Sequence, residues 1–154
     1  MIYLIVKLVH VLAAIIFLGN ITLGFFWKFR AEKLNERQRI EETFTSIIKA
    51  DRLFTMPGVV ILLIFGIGSA QLLGYNLITT GWIFWSIILY VISGLAFMIK
   101  VVPVQKKILK LTSDENNFNW DEYKKLSAQW NLWGTIATIT PWIATVLMIL
   151  KPGL

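Results

Sequence analysis

The chain has no cysteine and only one histidine in its 154 residues. Without thiols it can form no disulfide, no cysteine nucleophile, and no cysteine-ligated zinc or iron–sulfur centre. A peptidase or hydrolase is also disfavoured, because there is no second histidine and no Ser/His/Asp arrangement on one side of the chain. The sequence identifies no catalytic residue, so whether the protein is an enzyme stays undecided.

Charge is missing from the middle of the chain. No Asp, Glu, Lys, Arg or His occurs between Leu53 and Ile99, and 22 of the 24 charges fall in Lys28–Arg52 and Lys100–Lys125. A charge at the centre of a bilayer costs a few kcal/mol or more, so this partition indicates a chain that crosses a membrane several times. The net charge of +6 then reflects topology and contact with anionic lipid, and we expect no nucleic-acid partner.

Four segments are long and apolar enough to cross a bilayer, which takes about 20 residues. They are approximately residues 2–27, 53–75, 82–102 and 131–150. The first lacks the positive start of a signal peptide and is longer than its apolar region, so we interpret it as a retained helix. The predicted fold is all-α, an integral membrane four-helix bundle that forms one domain over residues 1–154.

Orientation follows from the Lys and Arg residues. The two charged stretches contain seven and six of the 15, and the hairpin at residues 75–81 contains none. The positive-inside rule therefore predicts cytoplasmic charged loops and both termini outside. Trp27, Trp130 and Trp133 would then mark the inner interface.

The charged loops are predicted to contain helix. Ile40, Phe44 and Ile47 fall on one helical face, which predicts an amphipathic cytoplasmic extension of the second span. Residues Tyr123–Trp130 predict a similar helical start for the fourth span.

Small and polar residues predict which faces of the spans pack together. Gly66, Ala70 and Gly74 form a ridge of small residues at a spacing of four on the second span. On the fourth span, Pro141 should kink the helix and free carbonyls upstream.

His10 lies inside the first span, where an ionisable group is a functional candidate. Its imidazole could ligate a haem iron or carry protons, and the alternative is a neutral ring hydrogen-bonded to a neighbouring helix. Met148 should lie at a similar depth on the fourth span, so a His10/Met148 haem pair is geometrically compatible.

A second group of candidates surrounds Asp51, which falls on the apolar face of the predicted loop helix and should point into the bundle at the inner membrane boundary. The polar cluster expected at this boundary comprises Asn20, Asp51, Arg52, Lys100, Gln105 and Asn131. It could be a structural ion-pair and hydrogen-bond cluster, or a gate or proton site. We predict that Asp51 is at least partly buried and contacts a basic or amide group, because a lone buried carboxylate is costly.

Several short motifs carry a resemblance to a known family. They are Lys7–Leu12, Phe17–Asn20, Phe26–Lys28, Phe54–Val59, Val102–Gln105 and Leu150–Pro152. With these, nearly the whole chain resembles a bacterial family of predicted four-span membrane proteins of unknown function. The resemblance implies four spans and a location in the bacterial inner membrane.

A more distant resemblance is to the four-span membrane protoporphyrinogen oxidases, which bind haem b. Lys7 and His10 match their Lys-x-x-His motif. Gly81-Trp82 is not followed here by that family's lysine, so the resemblance implies haem b at His10 rather than oxidase activity. Copper-uptake membrane domains have a similar first-helix histidine, but copper would want more Met or His ligands than this chain offers.

Two hypotheses on function result. The first is a haem- or tetrapyrrole-binding redox membrane protein centred on His10. The second is a non-enzymatic membrane subunit, or a small transporter that works as an oligomer. In both, the partners expected are the lipid bilayer and either further copies of the chain or a larger membrane complex.

Overall fold

The computed structural model describes residues 1–153, and within them the chain forms helices and turns with no strand. This part of the chain contains four long helices, each apolar enough to cross a membrane. They are Ile2–Leu34, Arg37–Leu72, Gly81–Ser113 and Trp120–Leu150. The prediction of an all-α membrane four-helix bundle is therefore confirmed.

The second and third long helices are composite. The elements in chain order are α1 (Ile2–Leu34), α2 (Arg37–Ala50), α3 (Met56–Leu72), α4 (Gly81–Ala96), α5 (Val102–Ser113) and α6 (Trp120–Leu150). A first π-helical turn, Asp51–Thr55, joins α2 to α3, and a second, Phe97–Val101, joins α4 to α5. The predicted helical extension before the second span is confirmed, since α2 runs into α3 without a break.

A proline explains the position of each π turn. Pro57 and Pro103 each lie two residues after one of these turns. A proline has no N–H, and its ring crowds the carbonyl four residues earlier, so the preceding turn widens. In the first π turn the N–H of Met56 donates to the carbonyl of Asp51, five residues back. Such turns are rare and often occur at functional sites.

The most completely buried apolar side chains lie at the end of the bundle that contains α2, α5 and residues 114–119, which we call the charged end. Ile40, Phe44 and Ile108 are completely buried there. The apolar face predicted for α2 is thus buried, as expected. Along the spans, most large apolar side chains instead face outward, for example Ile64 and Leu95, as a lipid environment requires.

The four spans associate as two pairs. Helix α1 packs along α3, and α4 packs along α6. Within residues 1–153, α3 and α4 make no close backbone contact, and α1 touches α6 only sparsely. The two pairs are joined mainly at the charged end through α2 and α5. The space left between them is the interpair cleft.

Glycines allow α1 and α3 to approach each other. A Cβ atom at Gly58 would lie 3.5 Å from the Cβ atom of Phe17, and one at Gly66 would lie 2.8 Å from Cε1 of His10. The predicted ridge is shorter than expected, because Gly74 lies beyond the end of α3 and has a φ of 73°. Close packing on this face therefore uses Gly58 and Gly66.

Pro141 connects α6 to α4. Helix α6 continues through this proline, whose missing N–H leaves the carbonyl of Ala137 without its helical donor. The hydroxyl of Ser93 donates to that carbonyl at 2.6 Å. The predicted freeing of an upstream carbonyl therefore produces a contact between helices.

Candidate functional site

A cavity of about 80 Å³ lies in the interpair cleft near the charged end. We call it the Asp51 cavity. Most of its wall is apolar or aromatic, and all four spans contribute to it. Its polar lining includes Asn20, Asp51, Thr55, Tyr90, Ser93 and Gln105. The two π turns also line it, through Asp51 and Thr55 in the first and Phe97, Met98 and Val101 in the second.

The carboxylate of Asp51 is the centre of a hydrogen-bond network between helices. Its Oδ1 accepts from Thr55 Oγ1 at 2.8 Å and from Asn20 Nδ2 at 3.3 Å. Its Oδ2 accepts from Gln105 Nε2 at 3.0 Å. Asn20 also donates to Thr55 at 2.8 Å. The network therefore joins α1, α5 and the first π turn, and it holds Asp51 in one position.

This carboxylate has no cationic partner. Asp51 is only 8% exposed, and among residues 1–153 no Lys, Arg or His nitrogen lies within 4.0 Å of its oxygens. The three donors are all neutral groups. A buried carboxylate without a counter-ion is costly even when it is hydrogen-bonded, so such a group is a candidate for binding.

The structure brings only part of the predicted polar cluster together. Asn20, Asp51 and Gln105 meet, as described above. Arg52, Lys100 and Asn131 are exposed and lie outside the network. The expectation of ion pairs in this cluster is therefore wrong for the described residues. Successive helical residues point about 100° apart, so Arg52 faces outward when Asp51 faces inward.

Trp130 also lines the cavity and carries a second unusual polar group. It is 3% exposed, and its indole N–H has no hydrogen-bond partner within the described part of the chain. Its ring packs against Phe25 and Phe44, with centroids 4.8 and 6.0 Å away. The ring therefore lies inside the bundle and does not face the lipid headgroups as an interface anchor would.

His10 lies elsewhere, between α1 and α3. Its Nδ1 is 3.0 Å from the carbonyl oxygen of Leu62, and its ring lies against Gly66. If Nδ1 carries the proton, it donates to this carbonyl and Nε2 stays free as an acceptor. This is the arrangement proposed as the alternative to haem ligation, a histidine bonded to a neighbouring helix.

A second cavity, of about 50 Å³, is lined by both His10 and Met148. The structure therefore places the two proposed haem ligands at one site. That volume accommodates a few water molecules, and a porphyrin does not fit there in this arrangement of helices. Among residues 1–153 there is also no group of three or more His, Cys, Asp or Glu residues that could hold a metal ion.

A buried charged cluster lies near the cavity at the charged end. Lys28, 2% exposed, donates to Glu32 at 2.7 Å and to Ser127 at 2.8 Å. Tyr123 donates to the same Glu32 oxygen at 2.8 Å. In the sequence, Lys28 stands out as a topology signal and as part of the Phe26–Lys28 motif, but not as a site residue. Its spacing of four from Glu32 indicated a pair, but nothing in the sequence indicated the partners on α6.

Comparison with known proteins agrees with this architecture. A family model described as "Predicted integral membrane protein (DUF2269)" matches residues 4–152. Comparisons with curated proteins and with solved structures give no match.

Proposed function

The chain belongs to the DUF2269 family of predicted integral membrane proteins, and from that premise we propose that it is a non-enzymatic membrane protein that holds a small ligand in the Asp51 cavity. We place it in the bacterial inner membrane with its charged end in the cytoplasm. The distribution of Lys and Arg supports this orientation.

The observation that carries the proposal is a buried carboxylate without a cationic partner in a cavity whose wall is mostly apolar. Ligand sites are typically concave and mostly apolar, with a few precisely placed polar groups. The Asp51 cavity fits this description. An ionisable group within the spans is also a functional candidate by default. Two π turns in its wall add support, because such turns are frequent at functional sites.

The chemistry of the cavity favours binding over catalysis. Its polar lining consists of one carboxylate, amides, hydroxyls and an indole. Asn20, Thr55 and Gln105 all donate to Asp51, so these groups hold the carboxylate in place. The single imidazole of the chain lies at the other cavity. Among residues 1–153, the cavity therefore contains no general base within hydrogen-bond reach of an activated nucleophile.

Haem or tetrapyrrole binding at His10 is the second candidate. Its support is that Met148 lines the same cavity and that Nε2 of His10 is free to ligate when Nδ1 donates to Leu62. The small volume of that cavity opposes it. An absorption spectrum of the purified protein tests it directly. A Soret band that is lost in His10→Ala would favour this function over a ligand in the Asp51 cavity.

Native mass spectrometry from lipid nanodiscs tests the main proposal. Gly94 lines the Asp51 cavity, and a Cβ atom there meets nothing within 4 Å, so Gly94→Leu should fill the cavity without a backbone clash. Gly19 is equally open but does not line it, and Gly19→Leu is the matched control. We expect a bound small molecule with the unmodified protein and Gly19→Leu, and none with Gly94→Leu. Equal retention by all three proteins would refute the proposal.

A further inference from the structure

We propose that the ligand of the Asp51 cavity is an amphiphile whose head is a primary ammonium group with a neighbouring oxygen acceptor, as in an amino alcohol or an ethanolamine lipid. This inference rests on the proposed function and specifies the class of ligand. Three features of the cavity carry it. They are a carboxylate without a cationic partner, an indole N–H without an acceptor among the described residues, and an opening to the molecular surface.

The first feature is a free acceptor position on the carboxylate. An ionised carboxylate has about four lone-pair positions on its two oxygens. Asn20 and Thr55 occupy two on Oδ1, and Gln105 occupies one on Oδ2. One position on Oδ2 stays open. A primary ammonium group supplies both the missing N–H donor and the positive charge that none of the residues 1–153 provides within 4.0 Å.

A metal ion fits this position less well than an ammonium group. Calcium takes six to eight oxygen ligands, and magnesium needs a near-octahedral set. The cavity offers one carboxylate whose lone pairs are mostly in use, and within residues 1–153 no second acidic side chain lines the cavity with Asp51. A group that donates a single charged hydrogen bond matches what remains.

The second feature is the indole N–H of Trp130. It is a donor only, it is buried, and no acceptor among the described residues satisfies it. An unsatisfied buried donor costs about 1–3 kcal/mol, so an oxygen atom of the ligand head would be favourable there. Because Trp130 and Asp51 line the same cavity of about 80 Å³, the two groups of the head must be close neighbours in the ligand.

The third feature indicates an apolar tail. Met56 and Val59 of α3 line the cavity, as do Gly94 of α4 and Met98 of the second π turn. Because α3 and α4 make no close backbone contact in the described chain, side chains alone close the wall between them, and the hydroxyl of Tyr90 donates to the carbonyl of Val59 across this gap at 2.7 Å. The cavity is open to the molecular surface, and Met98 in its wall is 54% exposed, on a surface that is apolar as a lipid-facing surface would be. A tail attached to the head can therefore extend into the bilayer.

The test uses the full chain in nanodiscs of phosphatidylcholine, which has no primary amine. Dodecylamine, dodecanol and dodecanoic acid share one tail length and differ in the charge of the head. Their binding is measured as the rise in thermal unfolding temperature with ligand concentration. We expect dodecylamine to bind about tenfold or more tightly than dodecanol, because a hydrogen bond to a charged group is stronger than a neutral one. Dodecanoic acid should bind most weakly.

Variants separate the two polar contacts. Asp51→Asn keeps the shape and should remove the preference for dodecylamine over dodecanol. For the second contact, 2-aminododecan-1-ol should bind more tightly than dodecylamine to the unmodified protein and equally tightly to Trp130→Phe. The second variant keeps an aromatic ring against Phe25, so the inference stays testable if Asp51→Asn fails to fold.

The outcomes distinguish this inference from the proposed function. Binding that Gly94→Leu abolishes but that shows no preference for the amine would overturn the ammonium head and keep the cavity as a binding site. The same holds if the preference survives in Asp51→Asn. Binding that is unchanged in Gly94→Leu, or no binding at all, would overturn both.

Discussion

The contact between His10 and Gly66 allows a sharp prediction about how α1 and α3 pack. A Cβ atom at Gly66 would lie 2.8 Å from Cε1 and 3.0 Å from Nδ1 of His10, so Gly66→Ala must displace the imidazole. Displacement breaks the 3.0 Å hydrogen bond to Leu62, which costs about 0.5–1.5 kcal/mol. Overpacking adds about 1–3 kcal/mol, and the better helix propensity of alanine returns about 1 kcal/mol.

We therefore expect Gly66→Ala to destabilise the protein by about 1–3 kcal/mol. Reversible unfolding in mixed detergent micelles measures this change. In a His10→Ala background the clash is absent, so the same substitution should be neutral or stabilising by up to about 1 kcal/mol. The sign of the effect thus depends on the histidine ring.

Gly19→Ala is the control, because a Cβ atom at Gly19 meets nothing within 4 Å. Its effect should be the same in both backgrounds, as expected for independent sites. If Gly66→Ala destabilises equally with and without His10, the histidine is not seated against α3 and the reasoning is refuted.

Three further predictions concern other contacts. Ser93→Ala removes the donor to the carbonyl freed by the proline of α6 and should cost about 1 kcal/mol in the same unfolding assay; an unchanged stability would mean that another donor satisfies this carbonyl. Lys28→Met leaves the half-buried Glu32 without its cation and should cost up to about 3 kcal/mol, the low end for breaking a buried pair, whereas the double variant with Glu32→Gln should recover much of this loss. For the orientation, single cysteines from Asn76→Cys and Asn117→Cys should be labelled by an impermeant maleimide from outside and from inside, respectively, and outside-only labelling of Asn117→Cys would reverse the topology.

The architecture could be predicted from the sequence because the cost of burying charge in lipid acts on each segment separately. The run without charge between Leu53 and Ile99 sufficed to indicate two spans and a hairpin. Helical periodicity also worked over short distances. It placed Phe44 and Ile47 on a buried face and directed Asp51 inward, since these relations depend only on the 100° rotation per residue.

The partners of Asp51 could be predicted only in part. An amide or basic contact was expected, and the amides of Asn20 and Gln105 provide it. Arg52 turns outward by the ordinary rotation per residue after Asp51, but the exposed position of Lys100 depends on the rotation of its helix within the second π turn. A π turn adds a residue to one turn and changes which side chains face inward afterwards, and its position is settled by packing around the proline.

The cavity and its indole belong to the tertiary structure alone. The sequence indicates which face of each span is small or polar, but not which helix covers that face. The association of α1 with α3 and of α4 with α6 leaves the cleft between the pairs, and this association turns Trp130 from an expected interface anchor into a buried donor. Local chemistry therefore determined the spans, whereas the binding site arises where packing between distant segments is incomplete.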